Sequence, residues 1–565
     1  MSTLRDHADT GGSVDELKNE GRTPPAIEYE RRELLFFLAL VAITIIPVWT
    51  TPAFPSTDGP IHVWILDILI NKLLGAEASV VGKFVELNSE LEPNFGFYVL
   101  LLPIALLFGP LAAEKLFLTL YAFLFCVGGR FALLKLYPTS GPASFLLIPM
   151  AFNLIVHFGY YNFILGVAFF LPFLVFCYLE VQKKPSLGNY LRLAAVGLIS
   201  CMIHLLPFAV LCLSLAILIT SNEILSALER GRAVEGLRTT IEKGGWLIAA
   251  FLPALAIAIA FLQRQGITKP ASDSIYWNIR RLAEFSSLAS FDESETWLFA
   301  IPFGYFVVLV VAIAAWQILS RRILDRQTIP AFSVPILLTV ICIFPPFSTV
   351  EIGIGDRLMI FVLISAVLAA GSVPLGHRWR SAIPLVAAAF VFLRAGMRFQ
   401  SYAEDYYGVI SSFEELIPEN STILVVLHEE DPIREWTHRY YPSEPLLHFG
   451  AHLARSRDSV YLRATLLSTT KMGYFPVQYR QDMDPFVVLS SNLEEVFPPV
   501  DFLKYEETVG ELPDFVIILG RRNEEWRARQ PATYEVINQR YQELRVSANG
   551  RFAILGVRPP ADNTQ

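Results

Sequence analysis

Long apolar stretches separated by short polar turns fill the chain from Glu33 to about Gly396, and from Met397 onward they give way to charged, turn-rich sequence. A helix needs about 20 apolar residues to cross a bilayer core. The apolar stretches predict spans at roughly 34–50, 116–134, 143–158, 163–180, 190–204, 206–220, 245–262, 298–319, 329–346, 358–374 and 381–395, eleven in all. Short apolar runs at Thr422–Leu427, Phe515–Leu519 and Phe552–Val557 predict strands instead, and Asn549-Gly550 is a hairpin signal before the last of them. The expected architecture is a polytopic α-helical membrane protein with a C-terminal soluble α/β domain. Residues 1–33 are expected as a disordered cytoplasmic segment, 34–396 as the transmembrane domain with a first outer loop over 51–115, and 397–565 as an extracytoplasmic domain.

Composition narrows the class. Only 17% of the 565 residues are charged and 53% are hydrophobic, against roughly 25% charged in soluble domains, which excludes an ordinary cytosolic enzyme. The net charge of −8 excludes a nucleic-acid partner, because binding a phosphate backbone takes a surplus of Lys and Arg. All five cysteines lie in apolar stretches, so neither a disulfide framework nor a zinc knuckle is available. The first 32 residues are too polar for a cleavable signal peptide.

Charge sets the topology. With the N-terminus inside, the inner turns hold Arg130 and Lys135, Lys183 and Lys184, Arg230 to Lys243, Arg321 to Arg326, and Arg378 and Arg380, as the positive-inside rule requires. Two parity decisions underlie this: Phe95–Phe108 is expected to lie at the interface without crossing, and 190–220 is expected to cross twice, with the break between His204 and Pro207.

The polar residues then gather at outer helix ends. The first outer loop carries Thr57-Asp58-Gly59-Pro60-Ile61-His62, followed by Ile65, Leu66, Leu69, Leu73 and Leu74 at helical spacing, which predicts a membrane-surface helix opened by Asp58. An N-cap role would explain Asp58 in purely structural terms. Other outer turns contribute His157, Tyr160 and Asn162, then His204, then Glu351, Asp356 and Arg357. An interfacial aromatic belt would account for the tyrosines. A carboxylate base, a cation for developing phosphate charge and a lipid-held substrate together fit sugar transfer from a polyprenyl-phosphate donor.

This layout resembles the GT-C superfamily of membrane glycosyltransferases, which includes the protein O-mannosyltransferases and the aminoarabinose lipid A transferases. In that family a first span leads to an acidic motif, then to surface helices, many spans and often an outer C-terminal domain. The resemblance carries the family's catalytic carboxylate onto Asp58, with His62, His157, Tyr160, Asn162, His204, Asp356 and Arg357 as candidate substrate-binding residues. It implies a polyprenyl-phosphate-linked sugar donor, a glycan, lipid or protein acceptor, and residence in a bacterial inner membrane. Many members have paired acids, whereas here Gly59 follows Asp58 and the next acid is Asp67; the resemblance leaves a divalent metal open and identifies no cofactor.

The tail adds Trp436, His438, Tyr440 and Tyr441, aromatics Tyr474, Phe475 and Tyr479 that either pack or stack on sugars, and His448 and His452 at a spacing that suits one helical face. Without a third ligand at zinc spacing the histidine pair makes no metal site by itself. The rival functions are a transporter or flippase of lipid-linked intermediates, which would place ionisable groups near the midplane, and a non-catalytic scaffold presenting the tail.

Overall fold

The computed structural model describes residues 25–76, 79–90, 92–265, 275–290, 293–321, 328–344, 354–396, 399–427, 446–472, 475–493, 498–520, 528–548, 550 and 552–559. The expectations at Glu351, Trp436, His438, Tyr440, Tyr441, Tyr474, Asn549 and the first 24 residues lie outside the described residues.

Among the described residues seven helices are long and apolar enough to cross a membrane: Arg31–Thr50, Pro110–Leu136, Tyr161–Val181, Leu205–Glu229, Val234–Arg264, Thr296–Ser320 and His377–Gly396. Shorter apolar helices over Gly141–His157, Leu187–Ile203 and Thr328–Ile343, together with Ile354–Gly371, fall on the other four expected spans. The chain is a polytopic α-helical membrane protein.

Side-chain ties fix how these helices run. Arg130 pairs with Glu33 at 2.8 Å and donates to the Gly141 carbonyl, so the first helix starts where the second ends and the third begins. At the other end of the bundle, Trp49 donates to Thr119 at 3.0 Å and Lys115 to the Thr51 carbonyl at 2.5 Å. Helix Gly96–Phe108 begins beside Asn162, which accepts from the Phe97 N–H at 2.8 Å. Gly109 alone separates its last residue from Pro110. Both its ends therefore sit at the Thr51 end, and it does not traverse the bundle, as charge parity requires.

The stretch 190–220 contains two helices, broken at His204, whose extended φ of −170° ends one and caps the next. Lys243 pairs with Glu223 at 2.8 Å, while Arg264 pairs with Glu92 at 2.9 Å, so the following helix returns to the Thr51 end. Arg130, Lys183 and Lys184 collect at one end and Asp58 at the other.

The C-terminal unit is a five-stranded mixed sheet in the order β3-β2-β5-β7-β6, with β2 Thr422–Leu427, β3 Val460–Tyr461, β5 Phe515–Leu519, β6 Tyr541–Val546 and β7 Phe552–Val557. The three strands read from the sequence form at the expected bounds. Strands β2 and β5 are buried along their whole length, which is why they read as unbroken apolar runs. The expected hairpin joins β6 to β7 antiparallel, with Gly550 at φ 70° in the turn.

This unit is laced to the first loop. Strand β1, Val85–Leu87, pairs antiparallel with β4, Val477–Tyr479, and the Arg480 N–H donates to the Phe84 carbonyl at 2.8 Å. Arg480→Pro removes that donor and strands a buried acceptor, at a cost of about 1–3 kcal/mol. We expect the variant to insert normally while limited proteolysis cuts its C-terminal unit faster than the wild type's; equal digestion rates would contradict the lacing.

Candidate active site

The expected loop helix forms over Gly59–Leu74. Its first half, Gly59–Leu66, is buried on every side, whereas Leu73 and Leu74 are exposed, because helix Gly450–Ser456 of the C-terminal unit lies across it. Asp67 is caught in this contact: burial lifts its carboxyl to about 6, with Arg455 opposing and Asp458 adding to the rise.

Asp58 occupies the N-cap position, and its carbonyl accepts from Ile61 and His62. Its side chain makes no capping hydrogen bond. The carboxylate instead lies 3.7 Å from Nε2 of His448, a residue of the C-terminal unit. A cap, the main structural explanation for an aspartate here, is thus not what its oxygens do.

The backbone around Asp58 is held by a second loop. Thr57 N–H donates to the His157 carbonyl at 2.9 Å and Asp58 N–H to the Phe158 carbonyl at 3.0 Å. The two loops touch at glycines. Gly159 has φ 76°, and a Cβ there would stand 2.4 Å from the Gly59 nitrogen; a Cβ on Gly59 would stand 2.1 Å from Ser56 Oγ and 2.5 Å from the Tyr161 hydroxyl.

Arg357, buried at the start of helix Ile354–Gly371, places its guanidinium 4.1 Å from the centroid of Tyr160, and Tyr160 stacks on Phe158 at 5.3 Å. The cation therefore stands one aromatic layer from the turn that binds Asp58. Asp356 accepts from the Ser286 hydroxyl, which anchors this helix start to the preceding segment.

The remaining candidates separate. His62 turns into the packing, with Nδ1 2.6 Å from the Tyr98 hydroxyl; burial, partly offset by a backbone hydrogen bond at Gly159, lowers it to about 3, so it is a neutral spacer. His157 turns the other way, 3.2 Å from the Pro55 carbonyl and stacked on Phe54, into a cavity shared with Glu295 and Arg394. His204 caps its helix by accepting from Leu206 N–H at 3.1 Å and meets Phe163 edge-on, the ring that also lies 5.8 Å from Arg357. Asn162 is used to hold Phe97. The structure thus joins Arg357 to Tyr160 directly and links both to the Asp58 backbone through Phe158, and it leaves His62 and His157 on opposite sides of the Pro55–His62 segment.

Two residues were missed or misread in sequence. Glu114, one turn into helix Pro110–Phe123, is fully buried, accepts from the Tyr161 hydroxyl and supports Gly59 from behind; a lone acid inside an apolar stretch was the available signal. His448 is legible as a histidine but not as a neighbour of Asp58, since 390 positions of sequence separate them. Among the described residues no cluster of three metal-ligating side chains occurs.

No family model matches the chain, and no curated protein does. The solved structures to which it is similar include the archaeal oligosaccharyltransferase AglB from Archaeoglobus fulgidus in complex with an inhibitory peptide and a dolichol-phosphate, at 10% identity and TM-score 0.44, covering 94% of this chain and 75% of that one. They also include ArnT from Cupriavidus metallidurans in the apo state, at 12% identity and TM-score 0.45 over 94% of this chain and 98% of that one. The same protein bound to undecaprenyl phosphate gives 13% identity and TM-score 0.43 over 92% and 97%.

Proposed function

We propose that the chain is a membrane glycosyltransferase that moves a sugar from a polyprenyl-phosphate donor to an extracytoplasmic acceptor, with Asp58 as general base. The observation that supports this best is the carboxylate at the N-cap position that does not cap, on a backbone held by a glycine-tight contact with the loop whose Tyr160 carries a buried arginine. The collection of basic turns at the opposite end supports an extracytoplasmic site.

In the reaction the acceptor hydroxyl gives its proton to the Asp58 carboxylate as its oxygen attacks the anomeric carbon. The bond from that carbon to the phosphate oxygen breaks, and the lipid phosphate leaves with the electron pair. Attack opposite the leaving group inverts the anomeric centre. Arg357 stabilises the charge gathering on the phosphate, a role that a fixed cation in a poorly hydrated site performs well. The ionisable groups stand at helix ends and not at the midplane, which favours an enzyme over a transporter.

Arg357→Gln is expected to lower kcat by about 10²–10³-fold. Arg357→Lys should recover part of that, because it keeps the charge but loses the planar stacking on Tyr160. Turnover of a radiolabelled undecaprenyl-phosphate sugar by each purified variant in nanodiscs checks this; equal rates for Gln and wild type would remove Arg357 from the mechanism.

A further inference from the structure

Every contact described so far for Asp58 comes from the membrane domain except one, and that one crosses from the C-terminal unit. His448 precedes helix Gly450–Ser456, the element that lies across the loop helix opened by Asp58. Its ring is buried, and Nε2 stands 3.7 Å from Asp58 Oδ1. Nδ1 lies 3.2 Å from the Tyr461 hydroxyl, which is itself 3.1 Å from the Leu447 carbonyl. A lone pair on Nε2 would be repelled by the carboxylate it faces, so the favourable tautomer carries its proton there, and the single Tyr461 hydroxyl proton then goes to Nδ1 in place of the Leu447 carbonyl.

We infer that His448 is a positioning residue for Asp58, and that the C-terminal unit thereby completes the site built by the membrane domain. This inference rests on the assignment of Asp58 as base. The separation is longer than a hydrogen bond, and apo contacts of this kind tighten when substrate closes the site.

The imidazole suits the task because it is neutral. Burial and the nearby Arg463 hold it well below the usual histidine range, so it orients the carboxylate without the counter-charge of a Lys or Arg, which would blunt a base. The charged and titratable groups around it are Asp58 and Asp67 on the loop helix, His452 and Arg455 on the covering helix, and Tyr461 and Arg463 on the segment after it. His452 is also pushed down, to about 3, by burial and Arg455, which leaves no protonated histidine in the contact near neutral pH.

The test compares His448→Leu, His448→Gln and Asp58→Asn in the full-length protein in nanodiscs, with undecaprenyl-phosphate mannose and undecaprenyl-phosphate arabinose as donors and host membrane extract as acceptor source. His448→Leu should lower kcat by about 10- to 100-fold, the cost of a loosely held reacting group, with little change in donor KM. The acidic limb of its kcat–pH profile should move to higher pH, because the ionised carboxylate loses its donor. Gln, whose amide reaches the Nε2 position, should recover rate and limb together.

A wild-type rate and profile in His448→Leu would overturn the inference, and so would equal losses in Leu and Gln with an unmoved limb, which mark a packing role. If His448→Leu fails to reach the membrane, Gln against His448→Asn decides: Asn is too short to reach, and equal behaviour of the two counts against the inference. Should Asp58→Asn keep its activity, the assignment of the base has failed; inactive Asp58→Asn beside unaffected His448→Leu is a failure of this inference alone.

Discussion

Asp58→Asn is expected to insert and accumulate like wild type while its kcat for sugar transfer falls by about 10²–10⁴-fold, the usual contribution of a positioned base. The expectation that folding survives comes from what Asp58 does structurally. Its N–H donates to Phe158 and its carbonyl accepts from Ile61 and His62, and both groups are unchanged in asparagine. Its side chain caps nothing, so no helix N-terminus loses a partner. Cell-envelope glycans or lipids from a strain carrying only the variant, compared by mass spectrometry with those of a wild-type strain and corrected for membrane abundance, read the effect. Product at wild-type level would remove Asp58 from the reaction.

Gly159→Ala should have the second large effect, and through structure. A side chain at φ 76° costs about 1–2 kcal/mol in backbone strain, and overpacking adds roughly 1–3 kcal/mol. Here the new atom meets the Gly59 nitrogen, 2.4 Å away, and the Asp58 backbone at 3.0 Å, and neither is a flexible chain end that can step aside. The two loops must separate, and Asp58 moves with them. Thermal unfolding in detergent should show a clearly lowered midpoint and transfer should be lost. An unshifted midpoint with normal transfer would mean that the loops do not touch as described. Gly550→Ala in the β6–β7 turn, where φ is also positive but nothing lies within 4 Å, is the control that isolates the collision from the strain.

The membrane domain was readable because its signals are local. Each span carries its own run of apolar residues, so helix positions follow from short windows, and the two parity decisions at Phe95–Phe108 and 190–220 follow from the basic inner turns taken together. Strands β2 and β5 were readable for the same reason, as unbroken buried runs. Asp58 could be singled out because the acid follows directly on the first span.

What the sequence could not supply is set by pairs far apart in the chain. Nothing in a window around Asp58 tells of His448, and nothing around Val85 tells of Val477, its partner strand's first residue. The histidines misled because their types suit chemistry whether or not their rings point at it. His62 and His157 flank Asp58 closely, yet the backbone turns one toward Tyr98 and the other toward Pro55. Glu114 was hidden because it stands next to Lys115 at the mouth of a span, where an acid beside a base reads as an ordinary solvated helix end.

The most direct measurement is consumption of donor by the purified protein. In nanodiscs supplied with undecaprenyl-phosphate sugars and host membrane extract, the wild type should release undecaprenyl phosphate in an acceptor-dependent way. Asp58→Asn should bind the same donor with similar affinity and release almost none. Donor left untouched by the wild type across a panel of hexoses and pentoses, or consumed equally by both proteins, would contradict a glycosyltransferase that works through Asp58.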